Sequence, residues 1–147
     1  MDHTLNLGWT RGQARTLEKR YRQVLGINLL LLVLVGLWAI LSPTTLARAA
    51  GLPLEETMHM FRAWGGMLLL AVMLYLPGWL SPLKTRWPNM VGILGRFGMG
   101  TLFLLMALFG GAALRGLLWF ALFDLIFAAA LAILYFRLAE AELMSRP

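Results

Sequence analysis

The chain has no cysteine and only two histidines among its 147 residues, which excludes structural disulfides, thiolate metal sites and a dithiol redox pair. Acidic residues are scarce as well: seven Asp and Glu face thirteen Lys and Arg, for a formal net charge of +6. Charged residues of both signs make up 14% of the sequence, against 60% hydrophobic. A soluble globular domain carries roughly a quarter charged and about half apolar residues, and the mean hydropathy of +0.73 lies well above that class. Scarce charge on this scale implies an integral membrane protein, with length for one compact bundle and no room for a second domain. The positive balance does not point to nucleic acid, because the basic residues sit at the ends of apolar segments and form no stripe interleaved with aromatics.

The abundant feature is the long apolar run. Four spans are predicted, over about residues 24–42, 57–79, 90–112 and 116–136, each close to the ~20 residues a helix needs to cross a ~30 Å hydrocarbon core. Ahead of them, residues 1–23 are basic, with Arg11, Arg15, Lys19, Arg20 and Arg22 opposed by Asp2 and Glu18. This segment reads as a cytoplasmic anchor, the alternative being a docking arm for anionic lipid or a partner. Behind the spans, residues 137–147 form a short polar tail.

Pro43 stops the first apolar run, whose one strongly polar residue is Asn28. Ala47-Arg48-Ala49 has the form of a signal-peptidase site, but the apolar run before it exceeds the usual ~7 to 15 residues, so a retained helix is predicted. Residues 44–60 are expected to form a loop and the approach to the second span, with Pro53 ahead of Glu55 and Glu56 marking a helix start. Pro77-Gly78 is expected to end that span. Connectors this short imply an all-α, up-and-down antiparallel four-helix bundle. Nine Lys and Arg fall on the side of the termini and the second connector, and three (Arg48, Arg62, Arg115) on the other. The positive-inside rule therefore puts both termini in the cytoplasm.

The fourth span contains Asp124 near its middle. On an insertion scale a central Asp costs about 2.5 to 3.5 kcal/mol while Leu, Ile and Phe each return roughly 0.3 to 0.6, so the dozen such residues from Leu117 to Phe136 carry it in. At 100° per residue its face holds Leu117, Phe120, Ala121, Phe127, Ala128, Leu131 and Tyr135, and the two alanines permit close approach of a neighbour. A carboxylate in such a segment needs a cationic partner, and a guanidinium fork matches it. Arg62 and Arg96 both lie ~9 to 10 Å from it along the membrane normal when residues are counted in from the span ends. Arg62 is the first choice, since Glu55 and His59 share its helix face and make a polar cluster at the outer end; Arg96 is the second. Gly92, Arg96 and Gly100 share another face with Gly95 beside it, a small-residue groove suited to helix packing.

Few motifs carry chemistry. Glu56 and His59 have the Glu-x-x-His spacing of di-iron bundles, but such a centre needs two copies and the other histidine is His3, so no metal site and no cofactor are predicted. No nucleophile stands beside a base and no phosphate-binding loop is present. The chain is not expected to be an enzyme.

The order of features resembles the DoxX-like group of small four-helix bacterial inner-membrane proteins. The resembling residues are Leu41-Ser42-Pro43, Ala50-Gly51-Leu52, Arg62-Ala63-Trp64-Gly65-Gly66 and Asp124, spread over residues 24–136. The resemblance implies a multi-pass inner-membrane bundle in which Arg62 and Asp124 matter, and a link of some members to quinone-dependent redox systems. The basic amino-terminal segment and the glycine face around Arg96 are not parts of that pattern. The function expected first is a non-enzymatic accessory or assembly subunit beside a membrane-protein partner, or a homo-oligomer. The second is a binder or carrier of a quinone or lipid near Arg62, Arg96 and Asp124, and the third a small proton-coupled transporter.

Overall fold

The computed structural model describes residues 2–53 and 58–144, the first ten of these by backbone alone. They form helices α1 (Asp2–Leu41), α2 (Pro43–Ala49), α3 (Met58–Leu80), α4 (Arg86–Phe109) and α5 (Leu117–Met144), with a single 3₁₀ turn at Ala112–Leu114 before α5. Four of these, with α1 counted from Gly12, are long and apolar enough to cross a membrane, as the composition predicts.

Helix boundaries depart from the sequence expectation wherever a proline stands at a position that needs no N–H. Ser42 is pushed to φ −139° and ψ 62° by the proline after it, which ends α1. Pro43 then occupies the first position of α2, where the missing donor costs nothing. Residues 44–60, expected as a loop, thus begin with two helical turns. They are pinned by Trp38 Nε1, which donates to Thr45 Oγ1 at 2.7 Å, and by Thr45 Oγ1, which donates to the Ser42 carbonyl at 2.8 Å. Glu55 and Glu56, and with them the expected helix start, lie outside the described residues.

Pro77 does not end α3, which continues through it to Leu80. The Gly78 carbonyl at that end and the Pro82 and Thr85 carbonyls of the connector are collected by Asn89, whose Nδ2 donates to them at 3.2 to 3.4 Å. Thr85 Oγ1 adds bonds to the Pro77 and Ser81 carbonyls, both at 2.8 Å. Because Pro88 falls in the first turn of α4, where N–H groups have no intrahelical acceptor, the helix starts at Arg86 and not at the expected residue 90. At the other end of the chain α5 runs on past residue 136 through good helix formers such as Ala139, Glu140, Ala141 and Leu143. Most of the expected polar tail is therefore helix; Leu138 is fully buried, and Glu142 pairs with Arg86 at 3.0 Å.

α1 packs on α3 and α5, and α4 packs on the same two, so the long helices close into a ring. Two apolar clusters fill it. One, toward the α2 end, gathers Ala39, Leu46, Ala47, Phe61, Ala107 and Leu117; the other gathers Tyr21, Leu25, Leu29, Leu131, Tyr135 and Leu138. The buried residues of α5 include Leu117, Ala121, Ala128, Leu131 and Tyr135, the face that its periodicity predicts.

α1 and α3 meet backbone to backbone at a pair of glycines. A Cβ on Gly65 would stand 2.6 Å from the Gly36 carbonyl oxygen and 2.9 Å from Ala39 Cβ, whereas one on Gly66 would meet nothing within 4 Å. Gly65→Ala should therefore separate the helices and cost about 1 to 3 kcal/mol, read as a lowered melting temperature in mild detergent. Gly66→Ala should leave that temperature unchanged or raise it.

Candidate functional site

Between the two apolar clusters lies the one pair of opposite charges inside the bundle among the described residues. Arg96 Nη1 donates to Asp124 Oδ1 at 2.5 Å. Arg96 is 5% exposed overall, and the Asp124 side chain keeps 15% of its surface. The backbone that makes this possible is Gly100: a Cβ there would lie 3.2 Å from Asp124 Cβ and 2.8 Å from Leu125 Cγ, so α4 and α5 touch at that level. Arg96 stands one turn, about 6 Å, away from Gly100 along α4, a distance its side chain spans. The guanidinium also lies against two rings of α5, with Cζ 5.6 Å from the Phe123 centroid and 6.0 Å from that of Phe127. Both rings are sequence neighbours of the acid, so α5 supplies the anion and the aromatic walls together.

Arg62 is not the partner. Phe61 and Gly65, one turn apart, are buried at this end of α3. Arg62 follows Phe61 by 100° and is exposed, as are His59 and Met73 on the same face. The predicted outer-end cluster is thus divided: His59 and Arg62 face outward, and Glu55 lies outside the described residues. The glycines of α4 serve two neighbours: Gly92 and Gly95 admit the Tyr75 side chain of α3, and Gly100 admits α5.

The ion pair borders open space on one side. A cleft of about 170 Å³ is lined by Arg96, Asp124, Tyr75, Leu68, Trp64 and Met99. Trp64 and Met99 also line a neighbouring cavity of about 290 Å³, wholly apolar, with Phe61, Phe103, Leu114 and Phe120 around it. Trp64 forms its hub, set edge-on to Phe120 at 5.3 Å and to Phe61 and Phe103 at 6.0 and 6.3 Å. On the other side of Arg96 is a cavity of about 10 Å³, room for a single water. Asn28 lines it, fully buried, with neither Nδ2 nor Oδ1 bonded to protein.

The sequence reading named Asp124 and Arg96 but missed Trp64, Tyr75 and Asn89 as parts of this neighbourhood. An aromatic or an amide in a span gives no periodic signal of its own, and each acquires its role from contacts outside its own helix face. No group of His, Asp or Glu suited to a metal ion occurs among the described residues. No protein family, curated protein or solved structure matches this chain.

Separating the pair should be costly in an asymmetric way. In Asp124→Leu a permanent cation is left buried, costing roughly 3 to 5 kcal/mol at any pH. In Arg96→Leu the stranded acid can take up a proton, which limits the penalty to about 4 kcal/mol at pH 7 and about 1.5 at pH 5. Unfolding titrations at the two pH values should show Arg96→Leu recovering on acidification, Asp124→Leu not recovering, and the double Leu variant more stable than Asp124→Leu.

Proposed function

We propose that the protein is a multi-pass bacterial inner-membrane bundle, with antiparallel spans and cytoplasmic termini, that binds an amphiphilic small molecule such as a quinone or lipid. The observation that carries this reading is the adjacency of the two spaces, which share Trp64 and Met99 as lining: a cleft with an ion pair at its wall lies beside a purely aromatic and aliphatic cavity. A carbonyl or hydroxyl head would meet the donors of Arg96 and the acceptor of Asp124, while the apolar body would lie against Trp64, Phe103 and Phe120. Antiparallel spans are supported by the meeting of the start of α4 with the end of α5 through Arg86 and Glu142. Kinship with the DoxX-like bundles belongs to the same proposal, with Arg96 in the part that the resemblance gives to Arg62.

Native mass spectrometry of the chain extracted from its membrane tests the binding. One amphiphile per chain is expected, lost in Asp124→Asn and in Trp64→Ala while the helical content is unchanged. Absence of any adduct, or an adduct indifferent to both variants, overturns the reading.

A second reading, an accessory or assembly subunit of a larger membrane complex, is favoured by the length of α1. Its 40 residues extend about 60 Å, twice the ~30 Å core of a bilayer, so much of it stands outside and is open to a partner. Affinity capture in mild detergent should then recover a stoichiometric membrane partner that is lost when residues 2–11 are deleted; a chain that purifies alone argues against it.

A further inference from the structure

A groove of about 560 Å³ runs along α1 beside the end of α3. Arg15, Lys19 and Arg22, spaced i, i+4 and i+7, line its upper half, and Gly26, Ile27 and Leu30 continue the same stripe as its lower half. Trp79 forms the wall. Its Nε1 donates to the Arg22 carbonyl at 2.8 Å, the Arg22 guanidinium carbon lies 5.7 Å from its ring centroid, and the missing Cβ of Gly26 lets the indole in. Glu18 is the one acid lining the groove, which leaves an excess of two cations over it.

From this change of character along one stripe we infer that the groove is a binding site for an anionic phospholipid, its phosphate held by Arg15, Lys19 and Arg22 and an acyl chain lying over Gly26, Ile27 and Leu30. A soluble anion would use only the cationic half, and a zwitterionic lipid would gain little from the excess positive charge. Basic residues next to a bilayer attract anionic lipid individually; here Trp79 adds a rigid wall that fixes Arg22 at the junction of the two halves. The inference rests on the chain spanning a bilayer and is independent of an amphiphile at Asp124, which lies elsewhere in the bundle.

The full chain is titrated in detergent with palmitoyl-oleoyl phosphatidylglycerol, the matching phosphatidylcholine and glycerol phosphate, and bound lipid is counted by native mass spectrometry. One phosphatidylglycerol should bind in preference to phosphatidylcholine, with affinity falling about five-fold for each cation removed. Arg15→Gln with Lys19→Gln, both exposed and away from the Trp79 contact, should thus lower it by about 25-fold at unchanged melting temperature, and Arg15→Lys should retain it. Asp124→Asn should leave it unaltered, which separates this site from the one proposed above. Equal binding of the two lipids, no effect of the double variant, or displacement by glycerol phosphate overturns the inference.

Discussion

The arrangement of this bundle depends on one short contact, the ion pair of Arg96 and Asp124. Neither charge is tolerable alone in an apolar interior, and a buried pair offsets its desolvation only when geometry is close. That requirement fixes the rotation of α4 and α5 about their axes and their relative height at once. Gly100 supplies the close approach, and Phe123 and Phe127 supply a low-polarity lining against the guanidinium. The apolar clusters above and below would tolerate several sliding arrangements, since Leu against Leu is nearly indifferent to register. The pair admits one.

The same contact gives the interior a gradient of polarity. Moving across the bundle from Asn28 through Arg96 to Asp124, and then along Trp64 to Phe103 and Phe120, the lining changes from amide and guanidinium to bare hydrocarbon. Such a gradient matches a molecule with a polar head and an apolar body better than a wholly apolar or wholly ionic one.

How much of this was legible from residue order follows from the range of the interactions involved. The four apolar segments and the inward face of α5 were, because hydrophobic run length and a 3.6-residue period are local properties of one segment. Asp124 stood out because one carboxylate among a dozen large apolar residues needs a reason. Its partner was not legible: counting depth from span ends placed Arg62 and Arg96 equally far away, and the count for Arg96 began at residue 90 when α4 begins at Arg86. Nor did the count include facing, and Arg62 is turned outward by the inward commitment of Phe61 and Gly65. Boundaries failed where proline sat in a first turn, as at Pro43 and Pro88, or was accommodated in the last, as at Pro77. Gly36 as the counterpart of Gly65 was invisible, since a backbone crossing involves two helices and no side chain.

Asn89 joins Gly78, Pro82 and Thr85 through a single amide, and no partner is more than eleven residues away. By contrast the Tyr21 and Tyr135 rings, 5.6 Å apart, join stretches of chain separated by more than a hundred residues. Loop-closure entropy rises with the logarithm of that separation. The segment from α3 to α4 can therefore assemble as a unit while the chain is still being made, and the flank of α1 that faces α5 stays uncovered until α5 emerges.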